Sequence, residues 1–157
     1  MADNAFAAPI KQALLFFSRT CSVFKEEDSG YAPDPGQFTV AQQVAHVAKT
    51  IDWFMEGGFR SEGFDLDFGA HQTTIRNYTS LKDAFIFLAK AVDNAAAILE
   101  SKTQEELMTP IPPGPIMAGE PRAAIVGAIV EHTAHHRGSL AVYARLLGYS
   151  PPMPYED

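Results

Sequence analysis

The chain has 157 residues, 46% of them hydrophobic and 20% charged, and 19 acidic residues against 12 basic ones leave a formal charge of −7. That is the composition of one globular domain, assigned to residues 1–157, and not of a disordered or fibrous chain. An acidic chain without clustered Lys and Arg is a poor match for phosphate backbones, so nucleic acid is not expected as a partner. No run approaches the roughly 18 uninterrupted apolar residues of a membrane span. The N-terminus has no basic region ahead of its short apolar run Ala13 to Phe17, which argues against a secretory signal. Cys21 is the single cysteine; it rules out an internal disulfide and fits the reducing cytoplasm.

The first periodic stretch covers about residues 9–27. Ile10, Leu14, Phe17, Cys21 and Phe24 recur at spacings of three and four, as one face of a helix requires. Pro9 is compatible with a first helical turn, where its missing N–H has no partner to lose. The segment 28–37, with two prolines and two glycines, reads as a loop. A second helix starts at the capping box Thr39-x-x-Gln42. It carries the stripe Val40, Val44, Val47, Ile51 and Phe54, and Gly57-Gly58 is its expected stop. Residues 57–78 read as a long connection. A third helix, with Leu81, Phe85, Leu88, Val92 and Leu99 on one face, is expected from Thr79 or Ser80 to about Ser101. The proline-rich stretch 109–121 cannot be helical. The fourth helix is expected over 122–147, with Gly148 just past its end. Four helices in a small chain with no β-alternation indicate an all-α, four-helix bundle.

The fourth helix carries the chemistry, in the run Glu131-His-Thr-Ala-His-His-Arg-Gly-Ser-Leu140. At about 100° per residue, Ile125, Ile129, Leu140, Tyr143 and Leu147 fall within about 60° of one another, and His132 and His136 fall in the same sector. Burying two adjacent imidazoles is unfavourable without compensation, because each loses hydration and each protonation opposes the other. A spacing of four brings the two rings together, and neutral imidazole is the commonest metal ligand. Thr133 follows His132, so this is not an H-E-x-x-H motif and its built-in general base is missing. A third ligand is needed, and the candidates are His46, His71 and His135. His46 lies on the second helix beside the apolar stripe and close to Trp53 on the wheel, the best place for a ligand from a facing helix. His71 reads as a solvated loop residue and His135 as a rim residue. Trp53 and Tyr143 read as packing residues, Arg137 as a salt-bridge or helix contact, and Cys21 as a buried, inert thiol.

The run His132-Thr-Ala-His135-His136-Arg137-Gly138-Ser139-Leu140, continuing through Tyr143 and Leu147-Gly148 to Pro154-Tyr155, resembles the end of DinB-like (DNA-damage-inducible) proteins. His46, within Gln43-Val44-Ala45-His46-Val47-Ala48, is similar to the histidine on that family's second helix. The resemblance implies a bundle in up-down-down-up order, a homodimer, and a site for a divalent transition metal (nickel, zinc, manganese or iron) held by His46, His132 and His136. It also implies kinship with S-transferases and maleylpyruvate isomerases that use low-molecular-weight thiols such as bacillithiol or mycothiol. Ser139 stands where that family commonly has glutamine. The expected activity is attack of a small thiol on an electrophilic small-molecule substrate at the metal, or hydrolysis in a close variant. The alternative is a non-enzymatic bundle that senses or stores a metal or small molecule, or keeps a vestigial histidine cluster.

Overall fold

A computed structural model describes residues 5–156. The expectation about the extreme N-terminus falls partly on residues 1–4, outside the described residues, as do both ends of the domain assigned to residues 1–157. Six helices follow one another: α1 (Ala7–Cys21), α2 (Val40–Phe59), α3 (Phe68–Arg76), α4 (Leu81–Ser101), α5 (Gln104–Met108) and α6 (Ala124–Leu146). A 3₁₀ turn at Glu26–Asp28 follows α1. Among the described residues no strand forms, and the only β-type pairing is an isolated bridge between Pro110 and Pro121.

The local chemistry explains the boundaries. Thr39 accepts from the Gln42 backbone N–H at 3.3 Å while the Gln42 side chain accepts from the Thr39 N–H at 3.1 Å, the reciprocal box read from the sequence. Ser80 caps α4 through the Asp83 N–H. Gly148 ends α6 with φ +83°, a conformation that disfavours any residue with a Cβ. The first helix is shorter than expected, stopping at Cys21 instead of continuing to Glu27.

Gly57 and Gly58 do not stop α2, which runs on to Phe59. They are there for packing. A Cβ on Gly57 would overlap the Phe64 ring, and one on Gly58 would lie 3.0 Å from Ile125 on α6. Nor is 57–78 a plain connection, since it holds α3, which Asp67 caps through the Ala70 N–H at 2.9 Å.

Helices α1, α2, α4 and α6 form the bundle, with α1 and α2 each packed on both α4 and α6. Ion pairing of Lys11 with Glu100 makes α1 and α4 antiparallel. Arg137 over Phe16, and Phe24 against Tyr149, make α1 and α6 parallel. Gln43 bonded to Tyr143, and Gly58 against Ile125, make α2 and α6 antiparallel. The order is therefore up-down-down-up. Because α2 and its neighbour α4 run the same way, the chain must return along the 20-residue α2, about 30 Å, before α4 can begin. That return path contains α3, which packs on α2. The core between the helices is apolar, with Ile10, Phe17, Val40, Val44, Val47, Leu88, Leu99, Ile125, Ile129 and Leu140 almost fully buried.

Candidate metal centre

α2 and α6 bring three of the five histidines together. His46 Nε2 lies 3.2 Å from His132 Nε2. The ring centroids are 4.9 Å apart for His46 and His132, 4.6 Å for His46 and His136, and 4.4 Å for His132 and His136. One nitrogen from each ring can be chosen so that all three lie within 4.8 Å of one another. His132 and His136 are half-buried, not buried as their place on the wheel implied, because hollows open on either side of them.

All three imidazoles are held neutral. Burial is the main cause each time: it lowers the pKa of His46, with His135 adding to the effect. It pushes His132 down to about 4 and His136 down to about 3, helped by the neighbouring histidines, which oppose each other's protonation. Neutral rings are the form that binds metal.

The tautomer of His136 is fixed as well. Its Nδ1 is bonded to Gln43 Oε1, and an amide oxygen only accepts, so Nδ1 carries the proton and Nε2 is left with its lone pair. Gln43 is fixed in turn by donating from Nε2 to the Tyr143 hydroxyl at 3.3 Å. That hydroxyl lies 3.0 Å from Gln37 Oε1 and 3.1 Å from the Phe38 carbonyl, and shares its one proton between these two acceptors. Support of this kind orients a ligating histidine and sets its basicity.

The donor set suits a divalent ion. With metal–nitrogen bonds of about 2.0–2.1 Å, two ligands of a tetrahedral centre stand about 3.3 Å apart, close to the 3.2 Å between His46 and His132. His46 Nδ1, the other nitrogen of that ring, is buried with no hydrogen-bond partner among the described residues. Three imidazole nitrogens suit zinc, nickel or iron better than calcium or magnesium.

A cavity of about 410 Å³ has His46 and His132 in its wall, together with Phe38, Trp53, Phe54, Phe68 and Ile75. Trp53 does more than pack. Its indole N–H donates to the Asp65 carbonyl at 2.7 Å, which ties the start of the return path to α2. His71 also lines this cavity. It is a half-buried residue of α3, contrary to the solvated loop expected, with Nε2 3.4 Å from Asp65 Oδ2. The Asp65 carboxyl is held below the usual carboxylate range, first by the Asp67 backbone N–H. On the other side of Phe38 lies a recess of about 370 Å³, lined by His136, His135, Ser139, Gln37, Gln72 and Arg76 among others. His135 is exposed there, its ring 4.9 Å from His136, and stands outside the three-histidine cluster.

The sequence reading missed Gln43, although its spacing of three from His46 on one helix was a usable signal. It also missed the aromatic wall, which depends on α3. Tyr143 packs as expected, but its hydroxyl belongs to the support of His136. Arg137 makes no ion pair among the described residues; it lies over the rings of Phe16 and Tyr155 and donates to the Tyr155 hydroxyl. Burial raises the pKa of the Cys21 thiol strongly, so it is inert as read.

The family model for the DinB family matches residues 17–157. The chain belongs to the DinB family. Solved structures that share the fold of this DinB-family chain include two from bacteria. One is a protein from Streptococcus pneumoniae, 14% identical, with a TM-score of 0.73 and coverage of 92% of this chain and 91% of the other. The second is YfiT from Bacillus subtilis, a probable metal-dependent hydrolase with an unusual four-helix bundle topology. It is also 14% identical, with a TM-score of 0.70 and coverage of 94% and 89%. Comparison with curated proteins finds none that matches. Among the described residues, no helix is long and apolar enough to cross a membrane.

Proposed function

We propose that this protein is a divalent-metal-dependent enzyme acting on a small molecule, with His46, His132 and His136 as the metal ligands. One observation carries the reading: three neutral imidazoles converge beside an open, aromatic-walled cavity. A purely structural metal site is closed by four protein ligands, whereas three leave a position for a reactant. A divalent ion held there lowers the pKa of a water or thiol and supplies a nucleophile near neutral pH. The chain's own residues do the rest. Gln43 keeps the lone pair of His136 Nε2 available, and the half-buried rings of Phe38, Trp53 and Phe54 shield one side of the reacting group from water.

The leading reaction is transfer of a low-molecular-weight thiol to an electrophilic substrate, which the family resemblance supports. Hydrolysis is the second reading, and the likeness to YfiT supports it. Homodimerisation belongs to the same proposal: Val142 and Leu146, one turn apart on α6, expose large apolar surfaces, and light scattering would show a mass of one copy or two. A cytoplasmic location belongs to the proposal too, and the single cysteine supports it.

Elemental analysis of untagged protein beside its His132→Ala/His136→Ala variant tests the proposal. We expect about one transition metal per chain, lost in the variant while the helical circular dichroism is retained. Stoichiometric metal absent even after reconstitution at neutral pH would sink the enzyme reading and leave a vestigial histidine cluster.

A further inference from the structure

The two hollows beside the histidine cluster have opposite chemistry. The cavity on the His46 and His132 side is walled mainly by rings. The recess on the His136 side is lined by the donors Arg76, His135, Gln37, Gln72 and Ser139, and among the described residues no carboxylate lies in its wall. Lacking one is notable in a chain with 19 acidic residues and 12 basic ones. Phe38 and Gln72 line both hollows, so the two adjoin along that edge.

Arg76 is the main feature of the recess. It sits in the last turn of α3, with its guanidinium carbon 5.2 Å from the centroid of the Phe38 ring. The other side of this residue is secured by its backbone, whose carbonyl accepts from Gln42 Nε2 at 3.2 Å. Among the described residues, no acid pairs with the guanidinium. Stacking on a ring limits the guanidinium's freedom and leaves its N–H fork available for a planar, two-oxygen anion. Phe38 meanwhile packs on His46, centroids 5.3 Å apart, so a single ring separates the unpaired cation from a proposed metal ligand.

We propose that the recess is a carboxylate-binding subsite built on Arg76, so that the site takes a small molecule with an acid group at the Arg76 end and an apolar or aromatic group in the cavity beyond Phe38. The inference deepens the metalloenzyme reading by naming a substrate class, and it rests on that reading for its purpose. The Arg76–carboxylate contact itself needs no metal.

The test is calorimetric titration with phenylacetate, 3-phenylpropionate and 4-phenylbutyrate, each beside its neutral carboxamide. The titrations use the zinc-loaded and chelator-treated protein, as wild type, Arg76→Gln and Arg76→Lys. Fluorescence of Trp53, the single tryptophan, reports whether the ring enters the aromatic cavity. We expect at least one acid to bind about tenfold more tightly than its amide. Arg76→Gln should erase that difference without weakening the amide, and Arg76→Lys should restore it only in part. The preference should persist without zinc. Equal binding of acid and amide by the wild type would overturn the subsite, as would an acid preference that survives Arg76→Gln. An acid preference that appears only with zinc and ignores Arg76 would assign the carboxylate to the metal instead. Zinc binding without Arg76 coupling leaves the metalloenzyme reading standing alone, and Arg76 coupling without zinc binding leaves the subsite standing alone.

Discussion

Helices α4 and α6 flank the same helix, α2, and are of similar length at 21 and 23 residues, yet they meet it with different chemistry. Every buried side chain of α4 is apolar: Leu81, Ala84, Leu88, Ala91, Val92, Ala95, Ala96 and Leu99. The buried set of α6 includes Tyr143, whose hydroxyl bonds to Gln43 of α2, and His132 and His136 stand half-buried beside it. On α2 itself, Gln43 and His46 meet α6 among valines and alanines. One seam is held by burial of apolar area, worth about 1.5–3 kcal/mol for each large side chain. The other carries polar groups that contribute to stability only when each finds a partner. Stability and chemistry are therefore assigned to opposite sides of one helix, and substitutions on the two sides should fail differently.

The largest separation is expected between the histidines. His46→Ala should weaken zinc binding by more than about a hundredfold, beyond what loss of an outer supporting residue costs. His135→Ala should change it by less than about threefold. Competition with a chromophoric chelator measures both, and the opposite ranking would put the wrong imidazole in the centre. Across α2, Leu88→Ala removes a side chain that is 1% exposed. It should cost about 2–5 kcal/mol in denaturant unfolding while leaving one zinc site per folded chain. A loss of zinc sites from the folded Leu88→Ala protein would mean that the two seams are not separable.

Gln43 comes next in size. Gln43→Leu keeps the bulk of the side chain and removes the acceptor that fixes the His136 tautomer, so zinc affinity should fall by about 10–100-fold. Tyr143→Phe, which leaves the Gln43–His136 bond itself in place, should cost less. If both leave the affinity unchanged, the hydrogen bonds among Gln43, Tyr143 and His136 do not support the metal site.

How far the sequence reaches follows the same division. The four long helices were legible because each turns a wide apolar stripe to the core, and the start of α2 because Thr39 and Gln42 satisfy each other's backbone donors locally. The histidine cluster was legible because helical periodicity alone puts His132 and His136 on the α2-facing side. Features that depend on tertiary contact were not. α3 buries only Ile75, so it shows almost no stripe. The reason for Gly57 lies in the ring of Phe64, seven residues away along a bent path, and that of Gly58 in Ile125. Without α3 the cavity wall and Arg76 had no place, and His71 looked like a loop residue.

The smallest expected effect is one of pH, and its size separates a buried cluster from three independent surface histidines. Ordinary imidazoles titrate near 6.5, so a site of three independent ones would lose about fiftyfold in affinity between pH 7.5 and 6.0 as protons occupy the ligands. Here burial has already pushed His132 down to about 4 and His136 down to about 3, with His46 lowered as well. Few protons remain to be displaced at pH 6.0, and zinc affinity should fall well under tenfold over that interval. The same shifts leave a mark on the metal-free protein. A depressed folded-state pKa means that the unfolded chain binds more protons below 6.5, so the contribution of these rings to stability is present above that pH and is lost as pH falls toward 4 and then 3. Chemical unfolding of metal-free protein should therefore show a midpoint that drops between pH 6.5 and 4 more steeply than in His132→Ala/His136→Ala. Parallel slopes for the two proteins would place these rings in water, titrating as freely as they do in the unfolded chain.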